Sequence, residues 1–275
     1  MNSRDAQDVM LRLLADGPFR AQAWGGDAEL PEATRAVVRQ IDMAGLERFA
    51  RFLCRHYYRE RVVHYFKYAR ALAGRTGLQA ESVLKSEAFR AMAPQLILGD
   101  AASAARVLEL IETYLAGGGA EAARKLAPYW DDLTRYQSTF FLTDAQAARP
   151  QPAAYPALAP AARLLDLSWD LPAILPDLLR PFTAVPMPAA KPVRLLFARS
   201  GTGEVTVLRC PDALKNLLLG LDGRRDPAGL AASVGLDPAS AQKAVQRLTE
   251  LGAVIAREQF SSAHTATAVP AAAGE

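Results

Sequence analysis

The chain has 275 residues, 51% of them hydrophobic, with 32 basic and 29 acidic side chains and a net charge of +3. That length allows about two domains with a real core, and the near balance of charge excludes a global bias towards nucleic acid or anionic membrane. Cys54 and Cys210, the two cysteines, fit a reducing compartment rather than a disulfide framework. No run approaches the roughly 20 apolar residues that span a bilayer. The N-terminus sets acids before its apolar residues, unlike a secretory signal. A soluble cytoplasmic protein without a membrane partner is the expectation.

Residues 5–16 carry Val9 and Leu13 at helical spacing, and Gly17-Pro18 predicts their stop. Residues 19–31 read as irregular, with Pro31 opening the next helix, in which Ala33, Val37 and Ile41 repeat every four residues. Gly45 allows a break. Residues 49–72 then hold no Gly or Pro, and the spacing predicts one helix of roughly 36 Å ending near Gly74. It carries Tyr57, Tyr58, Tyr65 and Tyr68, four of eight tyrosines, with His56 and His64, two of three histidines, interleaved with six basic residues. A helix follows from Ser82 with Pro94 as break or kink. Another spans 101–116, N-capped by Asp100 and ended by the glycines 117–119, and one more spans 120–141. Residues 1–146 thus read as a helical bundle.

From 147 to 160 the prolines prevent stable helix and suggest an extended linker. Residues 162–179 are too apolar for a free linker and are expected to dock on one of the two bodies. A second proline-rich piece follows, so 147–192 form a strap. In the C-terminal part, 193–198 and 204–209 flank a Gly-containing hairpin connection. A short helix over 212–221 stops at Asp222-Gly223. Asp226 caps the next, and Asp237-Pro238 opens a third that ends at Gly252 before a short strand. Residues 193–260 therefore read as a winged helix-turn-helix, and 261–275 as a disordered tail. The fold class is mainly α, a helical bundle followed by a small α+β domain.

His56, Glu60 and His64 stand at i, i+4 and i+8 on one helical face, a spacing that can grip zinc or iron. The other histidine, His264, lies in the tail, and no HExxH or CxxC pattern accompanies them, so a hydrogen-bonded face without metal is the expectation. No GxSxG occurs, neither cysteine has an activating motif, and the glycines 117–119 follow a helix rather than a strand. A catalytic site is not expected. Mixtures of Tyr and Arg suit both a core helix with snorkelling arginines and a protein interface. The winged helix reads two ways beyond a purely structural role. As a DNA reader, in a regulator with a helical sensor or dimerisation domain, it would offer Gln242, Lys243, Gln246 and Arg247, with Asp237 near the phosphates. That is a thin basic supply. As a peptide reader it would offer a hairpin edge, on which Leu195 and Phe197 alternate with Val193 along one strand, and Val205 with Val207 along the other.

The stretch GEVTVLRCPDALKNLLLGLDGRRDPAGLAASVGLDP, with VQRLTELGAV after it, resembles winged-helix domains that bind leader peptides of ribosomally made, modified natural products. RHYYRERVVHYFKYARAL resembles partner subunits of multinuclear non-heme iron oxidative enzymes, including those of methanobactin and 3-thiaglutamate biosynthesis. The two likenesses cover about 45–75 and 193–258. They imply a non-catalytic companion that forms a heterodimer with the iron enzyme and presents a precursor peptide to it. It would carry no cofactor of its own, the iron belonging to the enzyme, and nucleic acid would not be its partner. Leu195, Phe197, Val205 and Val207 would line or support the leader site, and Arg209, Arg224 and Arg247 would contact acidic leader residues. His56, Tyr57, Tyr58, Arg61, His64 and Tyr65 would shape the enzyme interface.

Overall fold

The computed structural model describes residues 3–26, 31–146, 155–233 and 235–256. The proline-rich residues 147–154 and the tail from Ser261 lie outside them. The chain divides into two compact units, Met1–Ala145 with Trp169–Ala190 and Gln146–Ser168 with Lys191–Glu275. The first is helical and the second holds both small sheets. The apolar segment 162–179 therefore does not dock on one body as a block: its two halves belong to different units.

In the helical unit, α1 (Ser3–Ala15) is followed at once by α2 (Gly17–Gly25). Asp16 accepts the Phe19 N–H at 2.9 Å, and Pro18 occupies the first turn, where its missing N–H costs nothing. Gly17-Pro18 thus ends one helix and opens another, and residues 19–25 are helical rather than irregular. A Cβ on Gly17 would lie 2.1 Å from the Pro94 carbonyl oxygen, so only glycine permits this approach. After α3 (Glu32–Val38), Asp42 caps α4 (Met43–Tyr65) by accepting the Gly45 N–H at 3.0 Å. Gly45 sits in the first turn and breaks nothing. Leu13, Phe19, Ala23 and Leu46 form the local core of these helices. Beside it the buried Arg20 guanidinium donates to the Leu13 carbonyl at 2.9 Å and to Glu47 at 2.5 Å.

The long aromatic helix is interrupted. It ends at Tyr65, and α5 (Lys67–Thr76) begins directly after Phe66, whose φ −96° and ψ +23° depart from helical values. A 3₁₀ turn (Ala80–Lys85) precedes α6 (Glu87–Met92), whose cap Ser86 accepts the Phe89 N–H. The helix expected from Ser82 is displaced by that cap, and a second 3₁₀ turn (Ala93–Gln95) carries the chain past Pro94. Asp100 caps α7 (Ala101–Ala116) as the sequence suggests. The single helix expected over 120–141 is two, α8 (Ala120–Leu126) and α9 (Trp130–Ala145), because Pro128 cannot continue a helical ladder. A 3₁₀ turn (Leu171–Ala173) and α10 (Leu175–Leu178) follow in this unit. The second proline-rich piece is tied to it through its carbonyls: Thr183 accepts from Arg75 at 2.7 Å, and Pro186 from the Tyr129 hydroxyl at 2.8 Å. Burial pushes the Tyr129 phenol up to about 12. Among the described residues no helix is long and apolar enough to cross a membrane.

The second unit begins with β1 (Ala157–Leu158) and β2 (Arg163–Leu167). Then come β3 (Val193–Arg199), β4 (Val205–Arg209), α11 (Asp212–Gly220), α12 (Pro227–Ser233), α13 (Pro238–Glu250) and β5 (Val254–Ile255). An antiparallel sheet runs in the order β2-β3-β4, with Leu165 opposite Leu195 and Phe197 opposite Val207. The hairpin predicted from sequence thus gains a third strand from the apolar segment. The closing strand β5 pairs with β1 rather than with the hairpin. Leu196 and Ala198 on one sheet face share a core with Leu217, Leu218, Leu230, Val245 and Leu248 from the three helices.

Gly252, at the turn from α13 to β5, has φ +76°, and a Cβ there would lie 2.1 Å from the Arg199 carbonyl oxygen. Left-handed strain and a backbone clash then act together, and Gly252→Ala is expected to lower stability by about 2–4 kcal/mol. A fall in urea midpoint at unchanged denaturant slope is the readout.

Candidate functional site: an open strand edge and an arginine-aromatic groove

In the β3–β4 ladder, Ser200 N–H donates to Glu204 and Cys210 N–H to Arg194. Antiparallel pairing alternates with period two, so Thr206 and Leu208 also turn their backbone groups towards β3, and Val205 and Val207 turn theirs to the outer side. Among the described residues no strand pairs there. The edge residues Val205 and Val207 are half-buried, whereas Leu195 and Phe197 lie in the central strand and are 1% and 0% exposed. The central strand is paired on both sides, so in this unit those two cannot offer backbone to a peptide. Arg209, Arg224 and Arg247 are exposed on three different elements: β4, the loop before α12, and α13. Arg247 is ion-paired to Glu250 at 2.8 Å. The exposed face of α13 also carries Gln242, Lys243 and Gln246, and Asp237 serves as its N-cap, accepting the Ser240 N–H at 2.9 Å.

On α4 the sequence-derived interface residues separate into three environments. Tyr58 is fully buried on the stripe Leu46–Ala50–Cys54–Tyr58–Val62, and burial pushes its phenol well above the ordinary value. A residue on that stripe faces the core of its own unit, so Tyr58 has no surface to give a partner. Arg61 lies under an aromatic cluster, 5.4–5.6 Å from the rings of Tyr57, Tyr65 and Phe141, and pairs with Asp144 of α9 at 2.5 Å. It joins α4 to α9. His64 is exposed beside Tyr65, and His56 is exposed against Phe52. Glu60 sits 3.7 Å from Arg59. Among the described residues no three His, Cys, Asp or Glu side chains converge as a metal-ligand set. Both cysteines are buried, and burial pushes the Cys54 thiol up to about 11, opposite to the shift that activates a nucleophile.

The stronger surface feature was not singled out by sequence reasoning. Flanking the buried stripe, Arg48, Arg51, Arg55 and Arg59 recur at three- and four-residue spacing, so helical geometry puts them on one face. Phe49, Phe52 and His56 form a ladder of near-parallel rings among them, with centroids 6.3 and 6.0 Å apart. The 3₁₀ turn Ala80–Lys85 and α6 lie along this face and add Lys85 and Arg90. Together they enclose two adjoining depressions. One, of about 460 Å³, is lined by residues including Phe52, Arg55, His56, Arg59, Glu81 and Lys85. The other, of about 270 Å³, has Arg48, Phe52, Leu84, Phe89 and Arg90 in its walls. Phe49 and Phe52 remain 51% and 53% exposed, although aromatic burial would be favourable. The legible signal was the arginine spacing within 48–59; Lys85 and Arg90 come from elements whose return onto α4 is not written locally. No protein-family model and no curated protein matches the chain, so its function is read from these two surfaces.

Proposed function

We propose that the chain is a non-catalytic partner subunit. It binds a ribosomally made precursor peptide as an added strand on β4 and presents it to a non-heme iron oxidative enzyme gripped by the helical unit. The observation that carries this reading is the outer edge of β4, where the backbone groups of Val205 and Val207 meet no strand among the described residues. Such an edge is a liability unless something pairs with it, and an extended peptide is the natural occupant. The winged-helix likeness of this unit and the likeness of residues 55–72 to companion subunits supply the peptide and the enzyme class. The mechanism is delivery: holding the leader raises the effective concentration of the modifiable segment at the enzyme's iron.

Purification of the tagged full chain from its native cells, with mass spectrometry and iron analysis, tests the reading. An iron-loaded enzyme should co-elute in near-stoichiometric amount, and an eluate without it overturns the proposal. Val207→Pro removes one outward N–H while leaving the ladder to β3 intact. It should weaken precursor-peptide binding by about tenfold or more and leave enzyme binding unchanged. Equal peptide affinity in this variant would place the peptide elsewhere. The exposed Gln242, Lys243 and Gln246 support a second reading, a DNA-binding regulator, which predicts duplex binding with a steep salt dependence.

A further inference from the structure

We propose that the groove between α4 and the segment 80–93 is a docking site for an acidic peptide segment of a partner protein, with carboxylates flanking an apolar anchor. This deepens the partner-subunit reading by naming the chemistry of what the helical unit grips.

Charge is the first argument. Arg48, Arg55, Lys85 and Arg90 line the two depressions, and none makes an ion pair among the described residues. Arg51 shares Glu47 with Arg20, and Arg59 meets Glu60 at 3.7 Å. A chain of near-neutral net charge thus concentrates uncompensated cations on one groove, where they steer an anionic partner and fix its register. Shape is the second. The smaller depression has an apolar part, Phe52, Leu84 and Phe89, and arginines and aromatics around a small apolar pocket are the residue types that dominate interface energies. The buried stripe of α4 holds the helix still, so Arg48 to Arg59 present a fixed array about 16 Å long. That matches about five extended residues.

Glu81 decides between a peptide and a nucleic acid. It is one of the residues that line the larger depression. One oxygen faces Arg70 at 3.3 Å, and the other, Oε2, is buried without a hydrogen bond. A peptide can place carboxylates at the cations and neutral residues beside Glu81, whereas a phosphate backbone carries negative charge at every unit and would set it against Glu81.

The test is fluorescence anisotropy of the full chain with a short labelled peptide of glutamates around a Leu-Phe pair. The same peptide with glutamine for glutamate and a labelled oligothymidine serve as comparisons. Arg48→Glu with Arg55→Glu reverses two exposed cations and should leave the thermal melt unchanged. The glutamate peptide is expected to bind, and the glutamine peptide and the double variant should each weaken binding by about tenfold or more. Absence of saturable binding, equal binding of the glutamine peptide, or full affinity in the double variant overturns the site. Tighter oligothymidine binding that the double variant abolishes would assign the groove to single-stranded nucleic acid instead. None of these outcomes involves the iron enzyme or β4, so the groove can fail while the delivery reading stands, and the reverse.

Discussion

Replacing Gln137 with leucine is expected to destabilise the protein by about 3–5 kcal/mol, because it orphans two buried backbone donors at once. Gln137 is fully buried on α9. Its Oε1 accepts the N–H groups of Tyr68 at 3.0 Å and Ala69 at 3.2 Å, and its Nε2 donates to the Leu133 carbonyl at 3.3 Å. Tyr68 and Ala69 are in the first turn of α5, where intrahelical acceptors are missing. The local cap position is Phe66, which has no side-chain acceptor. Gln137 therefore acts as the cap of α5 from a separation of 69 and 68 residues. Leucine keeps the volume and deletes the acceptor, so the loss reports hydrogen bonding rather than a cavity. Urea denaturation gives the magnitude, and faster hydrogen exchange at the Tyr68 and Ala69 amides identifies the cause. Because α5 leads into the 80–85 turn that walls the groove, the variant should also weaken the glutamate peptide.

Arg20→Ala is expected to cost a further large amount, about 3–5 kcal/mol at neutral pH, the usual penalty for removing one partner of a buried ion pair. Arg20 is 4% exposed, and its loss leaves the Leu13 carbonyl and Glu47 short of a donor. The effect carries a pH signature. Burial alone would raise the Glu47 carboxyl, but the guanidinium groups of Arg51 and Arg20 outweigh it and hold the group below its ordinary value of 4.5. A depressed carboxylate pKa contributes stability that is complete above the unfolded value and is lost as pH falls through the folded one. The gap in urea midpoint between wild type and Arg20→Ala should therefore be widest near pH 7 and narrow below about pH 4. A gap independent of pH would mean that Arg20 acts through packing and its bond to Leu13 alone.

Both variants probe features that single residues do not announce. The chain between 49 and 72 has nothing that stops a helix, and the sequence predicts one rod. Its core residues Leu46, Ala50, Cys54, Tyr58, Val62 and Phe66 repeat every four positions, and each such step overshoots a whole number of turns by about 40°. By Phe66, itself buried, the stripe has wound roughly 200° around the helix axis. Beyond the break Ala69, Leu72 and Ala73 are buried on α5, and Gln137 of α9 accepts the first-turn N–H groups that the local sequence leaves uncapped.

The residues by themselves determined the local events: the caps at Asp100 and Asp237, the hairpin around 200–204, the end of α7 at its glycines and the helical bulk of the first half. Each rests on groups within about four residues of one another, so its chemistry is complete in the string. Tertiary structure decided the rest. It gave β2 to the hairpin, paired β5 with β1, divided 162–179 between two units, buried Tyr58, Leu195 and Phe197, and brought Lys85 and Arg90 to the arginines of α4. Those outcomes depend on which apolar surface finds which partner, and burial energy is non-directional and carries no address in the sequence.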